Sequence, residues 1–314
     1  MKRGLLITVF LLLCALQTGG AQDKATLLPR QILDIPSGQY SGITPLYGAL
    51  YAVVHDKSQG GGLHIFTLPF KADGTLVQAR AFELYGNLEG EPGKDNEDVV
   101  YVPETGALWV SAESDQSIRE YDLEGFPTGR TLNVPDTLKA IRPNAGFEAL
   151  AYRDGHFWTT TECPLPGEDF HRILRFSLEN LQSESEELYY MDEPEADAEG
   201  TQAYVHGISA MTALPDGRLA VLEREIYVPE GGLKEKLRAF AKTKIYLIAP
   251  DKPQEKSLLV SFKSGALSLA NFEGMCLGPE INGKPSLLLL ADSQDGSGGL
   301  LPEYIQVILS LIHI

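Results

Sequence analysis

One small pattern of polar and apolar positions recurs along the chain. A polar residue, then a small residue or Asp, then an aliphatic residue open a strand at Ser41-Gly-Ile, Glu97-Asp-Val, Glu148-Ala-Leu, Ser209-Ala-Met and Glu273-Gly-Met. A turn glycine follows in each case (Gly48, Gly106, Gly155, Gly217, Gly283), and an apolar strand then ends on His55-Asp56, Glu113, Glu162, Glu223 or Asp292. The pattern is plainest at 146–162, where Phe147–Tyr152 and His156–Thr161 flank Arg153-Asp154-Gly155, a tight-turn hairpin signal. A hairpin returns to its starting end, so Glu148 and Glu162 are predicted to meet there. The openings are 51 to 64 residues apart, a period that with several strands per unit predicts an all-β propeller rather than a helical solenoid.

The apolar runs predict five four-stranded blades, with six as the alternative if two short blades are merged. Strands are expected at 41–46, 49–54, 63–68 and 80–85; at 97–102, 107–112, 117–122 and 129–134; at 147–152, 156–161, 172–178 and 186–191; and at 208–214, 218–223, 244–249 and 256–262. The last blade has only 272–277, 286–291 and 303–309, and a lone N-terminal strand over 29–35 is expected to complete it and close the ring, leaving no open edge. One segment departs from the β pattern. Gly232–Lys242 spaces Leu233, Leu237 and Phe240 for a helix, either covering a blade edge or forming a lid over the mouth.

Residues 1–21 read as a secretion leader: Lys2 and Arg3, an apolar run from Leu5 to Leu16 too short to span a bilayer, and a small-residue cleavage site at Gly19-Gly-Ala21. An exported chain, periplasmic or secreted, is therefore expected, with residues 22–314 forming a single propeller domain. The formal charge of the whole chain is −17. Such an acidic surface argues against nucleic acid and anionic lipid as partners, since neither would gain by counterion release. No membrane insertion and a monomer are expected. Cys163 and Cys276 fall in different repeats and read as two isolated thiols.

In a propeller the first strand of each blade lines the axis, and the second returns to the mouth where the first began. One mouth should therefore gather Glu97, Asp98, Glu113, Glu148, Glu162, Glu223, Glu273 and Asp292. So many carboxylates cannot all ionise in a small volume without compensation, so protons or cations must neutralise them. Oxygen donors without thiols suit Ca²⁺ or Mg²⁺, and Ca²⁺ is the expected cofactor, held by Glu97, Asp98, Glu113, Glu148, Glu223 and Asp292. Glu148, Glu162, Glu273 and His206 are the candidate catalytic groups. Arg172, Lys244 and Arg224 are the candidates for holding a small anionic ester. No Gly-x-Ser-x-Gly elbow and no His-Glu-x-x-His zinc motif occurs.

Asn96-Glu-Asp-Val, Gly146-Phe-Glu-Ala-Leu-Ala, Gly207-Ile-Ser-Ala-Met-Thr-Ala-Leu-Pro-Asp-Gly-Arg-Leu-Ala-Val-Leu-Glu-Arg224 and Asn271-Phe-Glu-Gly-Met resemble the phytase-like family, described as having esterase-like activity. The resemblance runs from about Leu33 to Val307. It implies a secreted or periplasmic β-propeller linked to hydrolysis of phosphate or carboxylic esters. The motif set of the calcium-dependent propeller phytases is not matched, so their metal sites are not carried over. Three readings follow: a metal-assisted phosphoesterase, a calcium-dependent lactonase or carboxylesterase on the same mouth, and a non-catalytic exported binding module.

Overall fold

Strand formation follows the alternation read from the sequence, and the strands gather into five sheets. The structure is a computed structural model that describes residues 24–57, 62–84, 86, 95–138, 146–294, 302–310, 312 and 314. The expected leader lies outside those residues. Two short N-terminal strands, β1 (Ala25–Leu27) and β2 (Gln31–Ile32), precede blade one, which consists of β3 (Tyr40–Pro45), β4 (Leu50–His55), β5 (Leu63–Thr67) and β6 (Arg80–Glu83). Blade two holds β7 (Asn96–Val102), β8 (Ala107–Ala112), β9 (Ser117–Tyr121) and β10 (Pro127–Thr131). Blade three holds β11 (Phe147–Arg153), β12 (His156–Thr161), β13 (His171–Ser177) and β14 (Ser183–Tyr189). Blade four holds β15 (Thr201–Ala213), β16 (Leu219–Pro229), β17 (Phe240–Ala249) and β18 (Lys252–Gly265). Blade five takes β19 (Asn271–Leu277), β20 (Ser286–Asp292) and β21 (Tyr304–Ser310), and β1 and β2 both pair antiparallel with β21 to complete it. The ring is thus a five-bladed propeller closed by the N-terminal segment, through two short strands rather than one continuous strand over 29–35.

The core is divided among the blade interfaces. Trp109 and Ile118 of blade two pack with Phe147, Phe157 and Phe176 of blade three, all essentially fully buried. Comparable clusters fill the other four interfaces. Each blade therefore buries both faces, and its stability depends on its neighbours. Along the axis the first strands come close together. A Cβ on Gly42 of β3 would lie 2.4 Å from Asp98 Cα of β7, so only a glycine lets the two strands approach this far. Asp98 bridges onward: its Oδ1 accepts the Val99 amide, and its Oδ2 accepts the Leu150 amide of blade three at 2.8 Å.

Blade four differs from expectation. The segment 232–242 forms a single helical turn, Leu233–Lys236, with Leu233 79% exposed. The helix is cut short because β16 and β17 continue as a ladder in which Tyr227 pairs with Phe240, their rings stacked at 5.4 Å. Phe240, expected on a helix face, is the first residue of β17. The blade's strands extend past the mouth where β15 begins, and residues 192–196 are clamped to that extension. There Asp192 pairs with Lys244 and Lys256, and Glu195 with Lys242 and Lys263. Cys163 and Cys276 are unpaired, as expected.

The axial contact yields a direct test. Gly42→Ala should destabilise the protein by about 1–3 kcal/mol, the range for overpacking. Gly265→Ala, whose Cβ would meet open space, should change stability by no more than about 0.5 kcal/mol. Equal midpoints for the two variants in urea unfolding would contradict the close approach.

Candidate active site

The recurrent polar residue has a structural identity. In every blade the pairing between the first and second strands slips at that position: between Tyr40 and Ile43, Asn96 and Asp98, Phe147 and Ala149, Ile208 and Ala210, and Phe272 and Gly274. Ser41, Glu97, Glu148, Ser209 and Glu273 are thus residues of β-bulges, left out of the ladder. A bulge bends the strand and re-aims the side chain it leaves unpaired. Five bulges at one end of five axial strands place these side chains round a single mouth.

The residue two before the bulge explains the rest of the motif. A Cβ on Gly146 would lie 2.8 Å from Glu113 Cγ, and one on Gly207 would lie 2.7 Å from Glu162 Cγ. The glycine admits the acid that ends the second strand of the preceding blade. Gly146 also donates its amide to Glu113 Oε1 at 2.9 Å.

Arg224 of β16 is the centre of the cluster. Its Nη2 donates to Glu148 Oε1 at 3.1 Å and to Glu162 Oε1 at 2.6 Å, and its Nη1 donates to Glu273 Oε1 at 2.5 Å and Asn271 Oδ1 at 2.9 Å. Asn271 donates in turn to Glu273 Oε1 at 2.8 Å. One guanidinium so holds carboxylates from blades three and five. Burial weakens its charged form, but the three carboxylates together outweigh that and keep it protonated far above neutral pH.

The surrounding acids exceed this single cation. Burial first, and then repulsion from Glu162, raises Glu148 well above the usual carboxylate range. Glu97 is raised in the same way, by burial first and then by Glu148 and Asp56. Glu113 is raised by burial, partly opposed by the Gly146 amide. Asp292 is pushed up to about 9, by burial first and then by Glu273.

Beside this cluster, ligand oxygens of Asp56, Asp95 and Glu97 lie within 4.8 Å of one another. Asp56 is pushed up to about 7, mainly by burial and then by the Asp95 carboxyl beside it. Among the described residues no donor reaches its buried Oδ1, while its Oδ2 lies 3.1 Å from the Nζ of Lys57, whose side chain is 63% exposed.

The other predicted site residues are placed as follows. Asp98 lies on the axis with both oxygens bonded to backbone amides. Glu223 precedes Arg224 in the same strand and so faces the other side of the sheet; there it accepts the Tyr189 hydroxyl at 2.6 Å and Lys256 Nζ at 2.7 Å. Lys244 is the register partner of Glu223 and is ion-paired to Asp192. Arg172 of β13 is ion-paired to Glu168 just before that strand and to Glu186 of β14. His206 stands opposite Glu225 in the ladder and borders a small cleft with Arg224 and Lys244. The sequence reading missed Asp95, Lys57 and Asn271. A signal for Asp95 and Asn271 existed, since both take the place that Gly146 and Gly207 hold two residues before the bulge.

A closed propeller whose mouth is ringed by bulged carboxylates around a buried arginine defines the class of protein. The chain belongs to the phytase-like family, described as esterase-like activity of phytase, which it matches over residues 35–294. No curated protein matches it in sequence. Among solved structures it is similar in fold to the catalytic domain of a Coprinopsis cinerea GH62 α-L-arabinofuranosidase, with a TM-score of 0.52 at 10% identity over 92% of this chain and 97% of that one. It is likewise similar to an α-L-arabinofuranosidase from Podospora anserina in complex with cellotriose, with a TM-score of 0.51 at 12% identity over 92% and 98% of the two chains. At such identities the likeness concerns the fold alone.

Two measurements test the electrostatics. Arg224→Met leaves three carboxylates without their counter-charge and should cost about 3–5 kcal/mol at neutral pH, with part of the loss recovered on acidification. Asp292 ionises near pH 4 in the unfolded chain and near 9 in the folded one, so the native state holds the extra proton and stability falls as pH rises across that window. Asp292→Asn keeps the acceptor for the Gln294 amide and mimics the protonated form. In EDTA it should match the parent near pH 4 and melt roughly 5 °C higher at pH 8. Equal melting at both pH values would contradict a raised Asp292.

Proposed function

We propose that this protein is an exported hydrolase that cleaves a phosphate ester at the carboxylate mouth with the help of a divalent cation. Membership of the phytase-like family and the propeller fold are in keeping with a hydrolase. The observation that carries the cation is the convergence of Asp56, Asp95 and Glu97, with a buried Asp56 oxygen that has no hydrogen-bond donor among the described residues. Among the described residues Glu97 accepts no hydrogen bond, although it is only 8% exposed. An all-oxygen donor set fits a hard cation, Ca²⁺ or Mg²⁺, and does not fit zinc.

A cation held by these three residues would supply Lewis acidity toward the ester oxygen and bring an anionic group to an acidic mouth. The chain's own residues do the rest. Lys57, exposed beside Asp56, is placed to hold a phosphate oxygen. Glu162 is fixed through Oε1 to Arg224, which leaves Oε2 to take a proton from an attacking water. Arg224 orients Glu148, Glu162 and Glu273 rather than binding substrate, because its Nη atoms are already committed.

The surplus of acids over bases at the mouth favours an uncharged carboxylic ester or lactone as the second reading.

Melting of the protein in EDTA and then in millimolar Ca²⁺, together with turnover of 4-nitrophenyl phosphate, 4-nitrophenyl acetate and a γ-lactone, separates the readings. Binding to the native state must raise the melting temperature by mass action. A rise of several degrees that Glu97→Gln abolishes, with calcium-dependent release of phosphate, is expected. Turnover of only the neutral esters would move the second reading to the front. No shift and no turnover would overturn both and leave a binding propeller.

A further inference from the structure

The recurrent motif carries a second element that the carboxylate mouth does not use. Two residues after each bulged position stand Ile43, Val99, Leu150, Met211 and Met275, one from each blade. All five line a cavity of about 610 Å³ at the far end of the axis, where the first strands finish. The cavity is therefore floored by a ring of apolar side chains, and the axial contacts of Gly42 with Asp98 and of Gly274 with Ser41 lie between it and the carboxylates.

Its walls are not uniform. Tyr47, Tyr101 and Tyr152 come from blades one, two and three, with the Tyr47 and Tyr101 hydroxyls in contact. Blades four and five face them with Ala213, Cys276 and Leu277. The charged groups of the lining are Glu104, Arg153 and Asp154, and Arg153 is paired with Asp154 at 3.1 Å. That leaves Glu104 without a basic partner in the lining, beside the Tyr152 hydroxyl, which burial and then Glu104 itself raise above its ordinary range. Acids therefore outnumber bases in the lining, two to one.

We propose that this opposite mouth is a second binding site, for a small organic cation with an apolar, aromatic body. The volume falls within the range of sites for drug-sized ligands, which are mainly apolar with a few polar groups that fix orientation. Tyrosine rings attract cations through their negative faces, and Glu104 supplies the charge at the rim. The site is independent of the ester chemistry, since it shares no residue with the carboxylate cluster.

Fluorescence polarisation with rhodamine 6G as the cationic aromatic probe and fluorescein as the anionic one tests the proposal in EDTA. Rhodamine 6G is expected to bind at least tenfold more tightly than fluorescein. Glu104→Gln should weaken it about twofold to fivefold, in line with an exposed ion contact. Ala213→Trp, which fills the cavity, should abolish binding while circular dichroism shows a folded protein. If that variant does not fold, Glu104→Gln and Tyr101→Ala decide. Equal affinity for the two dyes, or unchanged rhodamine affinity in Glu104→Gln and in Tyr101→Ala, overturns the site. Glu97→Gln should leave rhodamine binding unchanged, and a loss there would place the dye at the carboxylate mouth and overturn the proposal.

Discussion

A guanidinium enclosed by carboxylates from two neighbouring blades is the interaction on which the carboxylate mouth depends. Arg224 is 7% exposed and contacts Glu148, Glu162 and Glu273 directly. Taking four charges out of water is expensive, and a buried ion cluster of this kind commonly stabilises a fold less than apolar residues of equal volume would. Its value is geometric. The planar fork of arginine fixes oxygens in direction as well as distance, so blades three, four and five are locked in one arrangement at the mouth. Among the described residues no base as deeply buried is bonded to Glu97, Asp95 or Asp292, and that side of the mouth keeps its excess of carboxyl groups.

The five bulges make such a cluster possible. In a regular ladder successive side chains alternate between the two faces of a blade, and both faces are filled by the apolar interfaces. A carboxylate at a regular position would enter one of those interfaces, at a cost of several kcal/mol if unpaired. Leaving one residue out of the pairing frees it from both faces and turns it toward the axis. The same local device gives three glutamates in blades two, three and five, and serines in blades one and four. Those serines hold the ring together instead. Ser209 donates to the Phe272 carbonyl at 3.0 Å, and Ser41 reaches Glu273 at 3.5 Å.

Much of this was legible in the sequence because the bulge residue recurs in every blade beside a recurring aliphatic. Five blades, the N-terminal closure and the meeting of Glu148 with Glu162 follow from period-two patterning and turn glycines alone. What escaped depends on parity and on partners. Glu223 and Arg224 look equivalent in Leu-Glu-Arg, yet adjacent strand residues face opposite ways, so only Arg224 reaches the axis. Lys244 follows Glu223 to the outer face through its register, and Arg172 is matched by acids on its own blade. Asp95 holds the place two residues before the bulge that Gly146, Gly207 and Asn271 hold in their blades, but it has a positive φ of 55° and joins Asp56 only through blade packing. The helix over 232–242 failed because a strand pair long enough to stack Tyr227 on Phe240 competes with it, and no surface was left to cover Leu233.

The two mouths therefore differ in what they can accept, and the difference arises from single positions within one motif. The polar residue of each repeat faces an end where carboxylates outnumber bases, and the aliphatic residue two places on floors the other end. Between them the axial strands are in backbone contact, as Gly42 and Gly274 require. At the acidic end, charge must be balanced either by protons, which burial makes Asp56 and Asp292 keep to about pH 7 and 9, or by a cation. These two states respond oppositely to pH. Protons are lost as pH rises, whereas cation binding strengthens as the ligands ionise. A mouth with both options would be stable in acid by protonation and, with a cation bound, in neutral solution, and the buried Arg224 supplies the fixed charge around which either state would be built.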